Sequence, residues 1–75
     1  MSKQNEIRFI DSDYNEKFRI NDGDRICITE QNGNTFERVC KYIDECHTKI
    51  GSLIFHICEY AELTERNGWT VEPVK

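Results

Sequence analysis

Between Cys40 and Cys58 the chain places three of its four cysteines and both of its histidines within nineteen residues. Thiolate and imidazole are the ligands that a structural zinc ion takes, four at a time and tetrahedrally. Two short-range pairs drawn from two elements are the usual way such a site is assembled. Cys40 with His47, and His56 with Cys58, supply that count as a Cys2His2 set, although the spacing is not that of a zinc finger. Helix geometry sets a condition on it. Successive helical residues are turned by about 100°, so His56 and Cys58 converge only if His56 is still extended or caps the helix. Cys46 and His47 do not suit one site, because neighbours on an extended segment face opposite ways. Cys46 and Cys27 stand as reserve ligands, and each of these cysteines also suits the interior as a small apolar residue.

The same residue types support catalysis elsewhere, as a cysteine nucleophile with a histidine base or as a zinc ion with an open position. Here the chain has no His-Glu-x-x-His, no Gly-x-Ser-x-Gly and no glycine-rich phosphate loop. Asp22-Gly23-Asp24 and Asn32-Gly33-Asn34 read as turns. Seventy-five residues leave little chain to build a substrate cleft. No catalytic residue is assigned, and the expectation is a protein that is not an enzyme.

Something must position the cluster. The chain reads as one domain over residues 1–75, of a size at which a hydrophobic core alone is marginal and staples are common. Hydrophobic residues make up 37% and charged residues 32%, a globular composition. The net charge of −4 disfavours a protein that coats nucleic acid and suits a partner with a basic surface. Arg25, Arg38, Lys41 and Lys49 are the residues from which a DNA-binding patch would have to come, and alternation divides Arg38 from Lys41. The polar N-terminus resembles no signal peptide and no apolar run spans a membrane, so the expected compartment is the cytoplasm, where cysteines serve as metal ligands or free thiols. No membrane and no small-molecule substrate is expected.

Periodicity predicts an α+β fold: a small antiparallel sheet of four to five short strands with one C-terminal helix packed on it. Residues 6–10 and 17–20 read as strands. Residues 25–30 and 35–43 flank Gln31-Asn32-Gly33-Asn34, a strong hairpin signal. Alternation puts Ile26 and Ile28 on one face with Val39 and Ile43, and Cys27 with Phe36, Cys40 and Tyr42 on the other. Centring the loop on Asn32-Gly33 or on Gly33-Asn34 sets Cys27 diagonal to Cys40 or directly opposite it. Residues 48–55 read as one strand interrupted by Gly51-Ser52. From about Phe55 the pattern turns helical, with Ile57, Tyr60, Ala61 and Thr64 on the core stripe and Leu63 at its margin, until Asn67-Gly68 stops it. Trp69-Thr70-Val71 returns as a strand. Glu59, Glu62 and Glu65 form the opposite helix face, either a solvated surface or the part that meets a basic partner.

Tyr42-Ile43-Asp44-Glu45-Cys46-His47 and the run from Phe55 to Gly68, Phe-His-Ile-Cys-Glu-Tyr-Ala-Glu-Leu-Thr-Glu-Arg-Asn-Gly, resemble a motif pair found in small proteins of bacterial mobile elements and phages. Within that group the chain is similar to the type II-A anti-CRISPR proteins, over about residues 36 to 73. The resemblance implies an inhibitor that binds the RNA-guided CRISPR nuclease stoichiometrically, hinders target DNA loading, and contains a structural zinc. It also implies Cys40, His47, His56 and Cys58 as the ligands, in preference to Cys27 and Cys46. The alternatives are an accessory or regulatory protein of a mobile element that binds another protein, and a small zinc-stabilised DNA-binding module.

Overall fold

In the computed structural model, which describes residues 5–74, the chain is α+β, with seven strands in two antiparallel sheets and one helix near its C-terminus. β1 (Glu6–Ile10) and β2 (Glu16–Asn21) form a two-stranded ribbon. β3 (Arg25–Thr29), β4 (Thr35–Tyr42), β5 (His47–Ile50), β6 (Leu53–His56) and β7 (Thr70–Pro73) form a five-stranded sheet in the order β6-β5-β4-β3-β7. Helix α1 (Ile57–Asn67) follows β6 without a break.

Seven strands form where four to five are expected, and one of the additions has a local reason. Gly51-Ser52 does not interrupt a strand but reverses it: Ile50 pairs with Leu53 across a two-residue turn, and Gly51 takes a φ of 64°. Glycine first in the loop is what a type II′ hairpin turn requires. The segment therefore splits into β5 and β6, and β6 becomes an edge.

The β3–β4 hairpin forms where Asn-Gly predicts it, but in a different register. Thr29 pairs with Thr35, and the loop closes through the Glu30 N–H to the Asn34 carbonyl at 2.8 Å and the Gly33 N–H to the Glu30 carbonyl at 2.9 Å. Gly33 at φ 93° absorbs the extra residue as a bulge of the three-residue loop. That odd loop count pairs even residues with even ones: Ile26 with Arg38 and Ile28 with Phe36. A one-residue difference moves every side chain to the other face. Cys40 thus joins Ile26 and Ile28 in the core, whereas Val39 and Ile43, expected inside, are 41% and 44% exposed.

The core holds Ile7, Phe9 and Ile20 from the ribbon, Ile26, Ile28, Cys40, Ile50 and Val71 from the sheet, and Tyr60 from the helix. Phe9 stacks on Phe18 at 4.8 Å and meets Tyr60 edge-on at 6.1 Å, so the ribbon closes the core beside α1. The helix buries Ile57, Tyr60, Ala61 and Thr64, the stripe that the 3.6-residue period predicts, with Leu63 half-buried at its margin. Gly68 ends α1 in the left-handed region at φ 70°, its N–H returning to the Glu65 carbonyl.

Candidate functional site

The hairpin β5–β6 and the start of α1 carry both histidines. His47 and His56 lie directly opposite each other, their rings 5.0 Å apart and at 82°. His56 has a β-region backbone (φ −74°, ψ 137°) and is the N-cap of α1, so the condition set by helix geometry is met. Its Nδ1 accepts the Cys58 N–H at 3.0 Å. A neutral imidazole has one lone pair on its ring nitrogens, and in His56 the helix N-terminus uses it. The hydrogen of that ring is left on Nε2.

His47 is arranged the other way. Its Nδ1 lies 2.9 and 3.2 Å from the two carboxylate oxygens of Asp44, and a carboxylate can only accept, so Nδ1 carries hydrogen. The Asp44 carboxylate is held below its ordinary range, first by this bond and then by the Cys46 N–H at 2.8 Å.

Cys40 does not join them. It pairs with Ile50 on the core side of the sheet, fully buried, while alternation along β5 and β6 sends His47 and His56 to the other face. Burial, with a smaller contribution from the Asp24 charge, pushes its thiol up to about 12. Cys27 opposes Glu37 on one side and Glu72 on the other, across the sheet from Cys40. Cys46 is exposed; its carbonyl accepts the Ile57 N–H at 2.8 Å. Cys58 lies half-buried in the first turn of α1. Among the described residues no three or more His, Cys, Asp or Glu side chains come together as a metal site requires. Cys40, His47, His56 and Cys58 therefore do not fit a tetrahedral zinc in this arrangement: Cys40 is on the other face of the sheet, and His56 has its lone pair engaged.

What the structure does bring together is a mixed apolar and acidic face. Phe55, Glu59, Glu62, Leu63 and Arg66 line an open groove between β6 and the exposed side of α1. On β6 itself, Leu53 on this face and Ile54 on the opposite one are 62% and 60% exposed. Glu65 is turned elsewhere, its Oε2 accepting the Ser12 N–H at 2.7 Å in the β1–β2 loop. Of the three helix carboxylates expected to face a partner, Glu59 and Glu62 border the groove and Glu65 braces the ribbon. Leu53, Ile54 and Phe55 escape a periodicity reading as an exposed edge because reading residues 48–55 as one strand hides it. The signal was the apolar run Leu-Ile-Phe directly after Gly-Ser.

No protein-family model matches the chain, and it matches no curated protein and no solved structure.

Proposed function

We propose that this protein is a stoichiometric protein-binding module whose contact surface is the β6 edge with the Glu59–Glu62 side of α1, and that its partner is the RNA-guided CRISPR nuclease, which it hinders from loading target DNA. The observation that carries the binding reading is the exposed pair Leu53 and Ile54 on an edge strand, with Glu59 and Glu62 bordering the groove on the helix side of that strand. Side chains of this kind at an edge attract another chain. The nuclease as partner rests on the sequence resemblance and on charge. Such nucleases hold their guide–target duplex in a positively charged channel, and a chain of net charge −4 complements a basic lobe. A charge this modest supports blocking by position rather than imitation of DNA.

A pull-down and a DNA-shift assay with the purified nuclease test the reading. The expected result is a one-to-one complex and loss of target DNA binding as the chain is titrated in. Absence of a complex with unhindered DNA binding overturns the nuclease as partner.

A further inference from the structure

The geometry points to a strand-addition site: we propose that β6 takes up an extended segment of a partner, antiparallel to it, with an apolar side chain opposite Ile54 and a basic one opposite Phe55. This rests on the reading of the chain as a protein-binding module, but not on which protein is bound.

The ladder decides which backbone groups are free. The Ile57 N–H donates to the Cys46 carbonyl at 2.8 Å, which makes that pair hydrogen-bonded and the adjacent His47–His56 pair not. Alternation then turns the groups of Phe55 and Leu53 toward β5, and the N–H and C=O of Ile54 and the N–H of His56 away from it. The carbonyl of His56, as N-cap, already belongs to the helix. An added strand would exchange two bonds with Ile54 and take a third from His56.

Side-chain alternation gives the pattern of the added segment. Ile54 lies on the face away from α1, with Lys49 as its partner in β5. A residue opposite Ile54 thus meets an exposed aliphatic side chain and is itself apolar. Its neighbour opposite Phe55 drops to the helix side, into the groove of Phe55, Glu59, Glu62, Leu63 and Arg66. A lysine or arginine there lays its stem on Phe55 and Leu63 and brings its charge to the two glutamates.

Charge also argues against a second copy. Two β6 strands paired about Ile54 would put Leu53 of one copy opposite Phe55 of the other, bringing Glu59 and Glu62 no cation beyond the Arg66 already in each groove. The two helices would lie side by side on one face with those carboxylates toward each other. A basic-apolar segment satisfies what self-pairing leaves unmatched.

The test uses the whole chain and a labelled, end-capped Lys-Val-Lys-Val-Lys peptide, with Glu-Val-Glu-Val-Glu as its control, read by fluorescence anisotropy and by amide exchange. The expected result is saturable binding of the lysine peptide only, with slowed exchange at Ile54 and His56. Glu62→Lys should weaken it by about tenfold, as loss of one charge-assisted contact does. Ile54→Pro, which removes an N–H that faces solvent, should abolish binding while leaving the circular dichroism spectrum unchanged. Equal binding of the two peptides, protection elsewhere than β6, or a dimer in sedimentation that Ile54→Pro dissolves would each overturn the proposal. If the peptide protects Ile54 and the nuclease does not bind, only the nuclease reading fails. If the nuclease binds and Ile54→Pro leaves that binding intact, only the strand-addition site fails.

Discussion

The two edges of the five-stranded sheet are built to opposite ends. β7 carries Val71, buried at 5% exposure opposite Ile28, and it is flanked by Trp69, which meets Phe36 edge-on at 6.0 Å. It ends in Pro73, which has no N–H to offer a further strand, and Glu72 adds a charge; both are common ways of blunting an edge. β6 has no proline and no lysine or carboxylate, and it presents Leu53 and Ile54 to solvent. One edge is closed by its own sequence and the other is left open. An open apolar edge is a liability for a free protein, and the contact surface proposed here would cover it.

The contrast can be broken most directly by truncation on each edge. Val71→Ala should destabilise the fold by about 1–3 kcal/mol, as loss of buried methyl groups does, whereas Ile54→Ala should change it by less than about 0.5 kcal/mol, measured by urea unfolding. Equal losses would mean that β6 is packed like β7.

Next in size is the junction of β6 and α1. His56→Ala removes the N-cap acceptor for the Cys58 N–H and should destabilise by about 1 kcal/mol; His56→Asn, which keeps a cap acceptor, should recover most of it. An unchanged melting temperature for His56→Ala would show that the imidazole does not cap the helix.

The thiols sharpen the same comparison without mutation. Cys46 is exposed and Cys40 is buried with its thiol raised to about 12. Alkylation followed by mass spectrometry should label Cys46 first and Cys40 only on unfolding. Rapid native labelling at Cys40 would contradict the register of β4.

The smallest effect is in acid. Asp44 is lowered from 3.8 chiefly by His47, and Asp11 is lowered from the same value, chiefly by the Asn15 N–H. A carboxylate depressed by folding contributes stability that is present above 3.8 and lost as pH falls through its folded value. Melting temperature should therefore decline as pH is lowered below about 4, and Asp11→Asn, which keeps the acceptor, should flatten that decline slightly. A profile identical to that of the unsubstituted chain would remove Asp11 from the account.

Much of this was legible in the residues. The helix stripe of Ile57, Tyr60, Ala61 and Thr64 follows from a 3.6-residue period that no tertiary contact overrides, and Asn67-Gly68 marks its end because glycine alone enters the left-handed region freely. The hairpin at Asn32-Gly33 was also visible, but not its parity: whether two or three residues form the loop depends on bonds around Glu30 and Asn34, and that choice sent Cys40 inward and Val39 outward. Of Cys40, His47, His56 and Cys58, clustered along the chain, His47 and His56 meet across β5–β6 but Cys40 falls on the other face, because period 2 assigns the faces of a sheet without regard to ligand chemistry. The open edge was hidden by one turn at Gly51-Ser52. Glu59, Glu62 and Glu65 were all read as partner-facing candidates; Glu65 is instead drawn to Ser12, a contact 53 positions away that no local pattern encodes.

The central claim is that β6 and the adjoining side of α1 are the surface through which this protein binds its partner. Amide hydrogen exchange of the chain alone and mixed with the purified nuclease tests it most directly. The account predicts slowed exchange at the amides of Ile54 and His56, and at those of the residues around Glu59 and Glu62, with β7 unchanged. A complex in which β7 or the β1–β2 ribbon is protected while β6 exchanges as in the free chain would contradict it.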